Sequence, residues 1–168
     1  MNTILETERL RLRKFTTADT RFIIELVNSP GWIEFIGERN IKTPKQAKEY
    51  LENGPIKSYE INGYGLSLVE LKDKNTPIGM CGIIKRDDLE TPDIGFAFLP
   101  EFIGIGYAFE IANATMIFAK DQLKLPVIVA ITVENNISSI KLLEKIGMKF
   151  KKIIKYSDDN EELMLYSN

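Results

Sequence analysis

Apolar positions along this chain recur with two periods, and the switches between them mark out its elements. Leu10 and Leu12, with Phe15 beyond, alternate with Arg9, Arg11 and Arg13, which is the period of a half-buried strand with the arginines on its solvated face. Thr16 precedes Asp19 by three residues, a near capping box, and Phe22, Ile23, Leu26 and Val27 then form one helical face. Ser29, Pro30 and Gly31 break that helix. Trp32, Phe35 and Ile36 make a short second face that Gly37 ends. Thr43 and Pro44 restart a helix through Ala47, Tyr50 and Leu51, expected to stop near Asn53 and Gly54.

The period then changes to two. Gly65 to Leu71, Pro77 to Ile84 and Ile94 to Leu99 read as strands joined by the turn at Asp73–Asn75 and the polar loop Lys85–Pro92. The run PIGMCGII is apolar on both faces, as a central strand is. Beyond Gly104 and Gly106 a helical face appears at Ala108, Ile111, Ala112, Thr115, Phe118 and Ala119. Leu125 to Val133 is a buried strand, and its entry through a long helix predicts that it runs parallel to the strand at 94–99. Asn136 caps a helix that carries Ile140, Leu142 and Leu143 inward and stops at Gly147. Lys149–Tyr156 and Glu162–Tyr166 close the chain as a hairpin around Asp158, Asp159 and Asn160. The expected fold is an α/β mixed sheet, antiparallel first and parallel later, in a single domain over 1–168.

Composition narrows the function. The chain has 168 residues, 44% apolar and 27% charged, with net charge −2. That balance gives no support for nucleic-acid binding. There is no histidine, which removes histidine-based triads and metal motifs, and no metal is expected. The one cysteine, Cys81, lies in an apolar run and reads as a small buried hydrophobe rather than a nucleophile. No apolar run reaches the roughly 20 residues of a membrane helix, and the first residues lack a signal-peptide core, so a cytoplasmic protein without membrane partners is expected.

The stretch DIGFAFLPEFIGIGYAFEIANATMIFAKD, Asp93 to Asp121, carries the chemistry. A strand runs into a turn with two glycines and then a helix, which concentrates unpaired N–H groups and favours an anion. A loop that needs glycine for steric reasons alone is the other reading. The turn is not a dinucleotide fingerprint, because Phe109 replaces the third glycine. Neither is it a P-loop, because Tyr107 and Ala108 replace Lys and Ser or Thr. Any anion would be held by backbone.

Three segments in this order resemble the GCN5-related N-acetyltransferases (GNAT), and within them the RimJ/RimL-like branch: TERLRLRKFTTAD from Thr7, DIGFAFLPEFIGIGYAFE from Asp93 and NNISSIKLLEKIGM from Asn135. The resemblance implies a twisted mixed sheet of about seven strands with helices on both faces. It implies acetyl-CoA as co-substrate in a V-shaped opening between the parallel strands. The pantetheine arm would bond to backbone along Phe96, Phe98 and Leu99. The pyrophosphate would rest on amides of Ile103, Gly104, Ile105, Gly106, Tyr107 and Ala108. Asn136 and Ser139 fall on positions that touch the pantetheine and thiol end. The chain departs from the family pattern at Glu101, where Gln or Arg is common, at Ile105, where a basic or polar residue is common, and at Met148, where phenylalanine is common.

The implied reaction is direct acetyl transfer to a primary amine, on a peptide N-terminus or a small molecule. Asp93 is the candidate for holding a water or orienting the amine, with turn capping as its bland alternative. Ser139 is a candidate proton donor to the thiolate. Trp32, Glu34, Phe35, Glu38 and Tyr59, with Tyr50, are the candidate acceptor wall, or equally a plain core edge. A non-catalytic acetyl-CoA-binding or sensing module and a CoA-independent structural protein are the competing classes. The oligomeric expectation is monomer or homodimer.

Overall fold

The computed structural model describes residues 2–157 and 159–168. Its strands are β1 (Thr3–Glu6), β2 (Leu10–Arg13), β3 (Leu66–Leu71), β4 (Thr76–Ile84), β5 (Asp93–Phe98), β6 (Val129–Thr132), β7 (Lys149–Tyr156) and β8 (Glu161–Ser167). They form one sheet in the order β1-β2-β3-β4-β5-β6-β8-β7, so the sheet has eight strands rather than about seven. The additional strand is β1, which pairs antiparallel with β2. Every neighbouring pair is antiparallel except β5 and β6.

Helices cover both faces. On one, α5 (Tyr107–Asp121) and α6 (Ile137–Lys145) bury Ile111, Ala112, Ala119 and Leu143 against Leu12, Cys81, Ile83 and Ile94 of the sheet. On the other, α1 (Thr20–Val27), α2 (Pro30–Phe35) and α3 (Pro44–Leu51) press Ile23, Leu26, Trp32 and Leu51 on Leu68, Met80 and Leu99. The capping boxes at Thr16/Asp19 and Thr43/Gln46 are both complete.

Three expectations are corrected. Asn53 and Gly54 do not stop α3. The chain passes through a π-turn at Glu52–Ile56 and continues as α4 (Lys57–Asn62), ending at Gly63 with φ +80. Pro55 has no N–H to give the ladder, and the wider π-turn accommodates it. Second, Arg11 and Arg13 are not a solvated face. Their side chains are 15% exposed and bracket Glu70, itself 3% exposed, at 3.0 and 3.2 Å. A carboxylate so buried needs ionic partners, and β2 supplies two. Arg13 also holds Asp19 at 2.8 Å. Third, the apolar run from Leu125 becomes a strand only at Val129. The first two residues of the expected run, Leu125 and Pro126, follow the left-handed Lys124 (φ 58) and belong to its irregular entry.

The final hairpin forms as expected, though Asp158 lies outside the described residues. No helix among the described residues is long and apolar enough to cross a membrane.

The packing of β3 on β4 makes a sharp test. A Cβ on Gly82 would fall 2.3 Å from the Gly65 carbonyl oxygen and 2.8 Å from Leu66 Cα. Both are backbone atoms, Leu66 at the first paired position of β3 and Gly65 just before it, and have little room to step aside. Gly82→Ala is expected to cost about 1–3 kcal/mol or more. Thermal unfolding checks this, and a parental Tm would contradict the packing.

Candidate active site

β5 and β6 pair at a single register position, Asp93 opposite Val129, where the Val129 N–H donates to the Pro92 carbonyl at 3.0 Å. Beyond that point β5 keeps its ladder with β4 but forms none with β6. The two strands therefore part toward their C-terminal ends. The edge left bare can be read from the antiparallel alternation. The Leu99 N–H donates to the Ile78 carbonyl at 2.9 Å, so residues 99, 97, 95 and 93 address β4. Phe96 and Phe98 then turn their N–H and C=O groups into the gap. Leu99 is a correction: its amide is taken by β4, and its side chain is buried at 4% exposure.

The mouth of the gap is built by the segments that extend each strand. After β5 a 3-10 turn at Pro100–Phe102 leads to Gly104 (φ +82) and Gly106 (φ +91). Both lie in the left-handed region that side chains disfavour. Gly106 is the N-cap of α5 and offers no side-chain cap. The N–H groups from Gly104 to Phe109 have no hydrogen-bond acceptor among the described residues. Gly104, Ile105 and Gly106 are exposed, and Tyr107 and Ala108 are half-buried at the helix start. Ile103 is also exposed, but its N–H already donates to Pro100 at 3.3 Å. After β6, Asn136 caps α6, accepting the Ser139 N–H at 3.3 Å. The Ser139 hydroxyl has no partner among the described residues. Two helix N-termini thus flank the open ends of two parallel strands, an arrangement that favours an anionic ligand.

The closed end is different. Asp93 is 1% exposed, and Arg86 Nε reaches its two oxygens at 2.9 and 3.1 Å. Burial pushes the Asp93 carboxyl above the usual aspartate range, and Arg86 only partly pulls it back. Arg86 Nη1 also lies 3.5 Å from the Tyr156 hydroxyl. Tyr156, Val129, Leu165 and Lys152 line an open cavity of about 960 Å³ under the loop that precedes β5.

Asp93 and Ser139 are not neighbours along the gap. Ser139 lies beyond the far end of β6, about 10 Å of strand from the residue opposite Asp93. The proposed acceptor wall also separates. Trp32 is buried in the core at 5% exposure, with its Nε1 unpartnered among the described residues. Phe35 is half-buried and Glu34 exposed. Glu38 pairs with Lys42 at 3.4 Å on the surface. The Tyr59 hydroxyl accepts from the Phe15 N–H and donates to the Leu66 carbonyl, which ties α4 to the sheet. None of these five lines the cavity under the loop that precedes β5. Arg86 was not singled out from the sequence, because a polar loop carries no pattern; the β4–β5 hairpin, pairing Ile84 with Asp93, was the available signal. Cys81 is buried, its thiol pushed up to about 12, and it faces Thr115, so it stays protonated.

Comparison with known proteins agrees with this geometry. A family model described as an acetyltransferase (GNAT) domain matches residues 9–149. The chain belongs to the GNAT acetyltransferase family. An uncharacterized protein of Bacillus subtilis, YkkB, is 30% identical over 158 residues, covering 91% of this chain and 89% of its own. An acetyltransferase of Agrobacterium tumefaciens superposes with a TM-score of 0.84 at 25% identity, covering 100% of this chain and 94% of that one. RimL, a ribosomal L7/L12 α-N-protein acetyltransferase solved with coenzyme A, shares the fold at a TM-score of 0.84 and 15% identity, covering 99% and 97%. As a GNAT protein the chain has the mixed sheet and acetyltransferase architecture of that family.

The fit of coenzyme A to these residues can be tested at the glycine turn. In a Gly106→Val protein the β-branched side chain must adopt φ +91, and the turn will abandon the arrangement of its free amides. Calorimetric titration with CoA is expected to show binding weakened at least tenfold in a folded variant. Equal affinity in variant and parent would remove the turn from the ligand site.

Proposed function

We propose that this GNAT protein transfers an acetyl group from acetyl-CoA directly to a primary amine, with the whole chain, residues 1–168, acting as one catalytic domain. The observation that carries the proposal is the parting of β5 and β6, with bare Phe96 and Phe98 backbone on one side and unpartnered amides at the mouth. Such an edge suits the amide groups of a pantetheine arm, which would lie along it like an added strand. The amides of Gly104 to Ala108 would hold the diphosphate, and the Asn136 side-chain amide and Ser139 hydroxyl would approach the arm from β6. Acetyl-CoA supplies an already activated thioester, so no enzyme nucleophile is required.

In the reaction the amine nitrogen bonds to the acetyl carbon as the carbon–sulfur bond breaks. One proton must leave the amine and one must reach the thiolate. Asp93, at the closed end of the gap, would take the first directly or through a water. Its raised pKa makes it a stronger base than an exposed aspartate. Ser139 is the donor candidate for the second.

The acceptor we favour is an α-amine of a peptide or small metabolite, in keeping with the RimJ/RimL-like opening segment. Deprotonating a lysine amine at pH 7 costs about 4.6 kcal/mol, against about 1.1 for an α-amine. Without a histidine to share the task, the weaker base is the easier substrate.

A thiol-release screen with acetyl-CoA tests this, using peptides with free and blocked N-termini, polyamines and aminoglycosides. Turnover of free N-termini is expected. Turnover confined to N-terminally blocked, lysine-containing peptides would overturn the acceptor. Silence with tight CoA binding would make the protein a binding module.

Asp93→Asn is expected to lower kcat/KM by about 10²–10⁴. In the parent, activity should also fall as acid protonates Asp93, over a range above that of ordinary aspartate because burial raises its pKa. The acceptor amine titrates in both proteins, so only the Asp93 limb should vanish from the variant's pH–rate profile. Parent-like kcat/KM throughout would exclude Asp93 from the chemistry.

A further inference from the structure

The glycine turn carries no basic side chain of its own: Glu101 stands where the family pattern often has Gln or Arg, and Ile105 where it often has a basic or polar residue. Yet a cation stands against the turn. Arg9, in the link between β1 and β2, lies with its guanidinium carbon 4.4 Å from the centre of the Tyr107 ring. Its Nη1 donates to the Ile105 carbonyl at 3.4 Å. Its Nη2 would be 3.4 Å from a Cβ on Gly106, and it has no hydrogen-bond partner among the described residues. One side chain therefore bonds to Ile105, lies over Tyr107 and stands where a side chain at Gly106 would reach.

Arg9 is itself held. Its Nε donates to Glu110 Oε2 at 2.7 Å, and its backbone N–H to Glu110 Oε1 at 2.9 Å. The Thr7 hydroxyl donates to the same Oε1 at 2.6 Å. Glu110 stands one turn into α5, so Thr7, Arg9 and Glu110 fasten the start of that helix to the edge of the sheet. The Arg9 side chain is still 41% exposed. A merely structural ion pair needs only the Nε edge of the guanidinium. Here the remaining nitrogens are turned to the glycine turn, and the group lies over the ring of its first helical residue, a placement that suits arginine better than lysine.

We propose that Arg9 is a positioning residue for the diphosphate of coenzyme A, supplying from the N-terminal strands the positive charge that the turn's own sequence omits. It fixes the Ile105–Tyr107 backbone so that the free amides keep one arrangement. It also places a unit charge beside them, to which a doubly charged diphosphate is drawn. This rests on the reading of the gap as a CoA site. It adds that Thr7–Arg9, about a hundred residues before the turn in sequence, belongs to the same site.

The test compares CoA, dephospho-CoA and pantetheine on the parent, Arg9→Gln and Arg9→Lys proteins. Titration calorimetry serves for the first two ligands and ligand-observed NMR for pantetheine, which lacks the diphosphate. Arg9→Gln is expected to weaken CoA and dephospho-CoA alike, about tenfold, or about 1.4 kcal/mol. Pantetheine affinity should not change. Arg9→Lys keeps the charge but loses the fork and the stack, and a two- to fourfold loss is expected, again for the diphosphate ligands alone. If the Gln variant does not fold, the Lys variant is judged by the same criteria. Parental CoA affinity in a folded Gln variant would overturn the inference. So would an equal loss for pantetheine, which would mark a structural role, or a loss for CoA that dephospho-CoA does not share, which would move Arg9 to the 3′-phosphate. A parent protein that binds no CoA would instead defeat the CoA reading itself.

Discussion

Backbone polar groups that leave one partner must find another, and this sheet is built around a place where they do not. β5 and β6 share one register position and then diverge. The bare N–H and C=O groups of Phe96 and Phe98 rely on solvent or a ligand, since an unpaired buried group costs on the order of 1–3 kcal/mol. The rest of the fold keeps that gap open. α5 and α6 begin at its two rims and pack on one face of the sheet, while α1 to α3 load the other. Neither strand can swing across to close the ladder without dragging a helix and its share of the core.

The electrostatics of β2 serve the same end. Its arginines look interchangeable in the sequence but take three separate tasks. Arg13 holds Asp19 in the capping box of the 3-10 turn that leads into α1, and with Arg11 it neutralises the buried Glu70 on β3. Arg9, just before the strand, reaches the other way, to Glu110 on α5. One short segment thereby ties the helical layers on both faces to the sheet. Glu110 also responds to pH. Although burial alone would raise its pKa, the Thr7 and Arg9 hydrogen bonds lower it overall. A depressed carboxylate stabilises the fold above the ordinary glutamate range, and that contribution fades as pH falls through the folded value.

The parts of this architecture written in local pattern were legible from the sequence. Alternation and short apolar runs located β2 to β5, the glycine turn located the start of α5, and Asn136 and Gly147 bounded α6. What escaped was set by distant partners. β1 is four residues long and has no alternation strong enough to see, so it exists because β2 offers an edge. Gly54 and Pro55 look like a helix stop, but the widened turn absorbs them. Glu70 gave no sign that it would be buried, so the arginines facing it read as surface. The mouth of the candidate site was legible as geometry, because backbone conformation follows glycine placement. Its closed end was not, because Arg86, Asp93 and Tyr156 meet only through the β4–β5 hairpin and the last strands.

The two ends of the gap differ in a way that bears on the acceptor. The mouth offers neutral dipoles and one shared arginine, suited to a phosphate anion. The closed end holds an almost fully buried carboxylate already engaged by Arg86 at 2.9 Å. A protonated amine arriving at Asp93 would also meet the Arg86 charge. Like charges at close range each disfavour the other's ionised form, so Arg86 would oppose the ammonium that an ionised Asp93 favours and would favour the neutral amine. That is the state able to attack a thioester. An α-amine would need less such help than a lysine amine, since roughly 1.1 and 4.6 kcal/mol respectively separate them from neutrality at pH 7. In the proposed reaction Arg86 would therefore do more than offset the burial of Asp93: it would work against a protonated amine at the closed end.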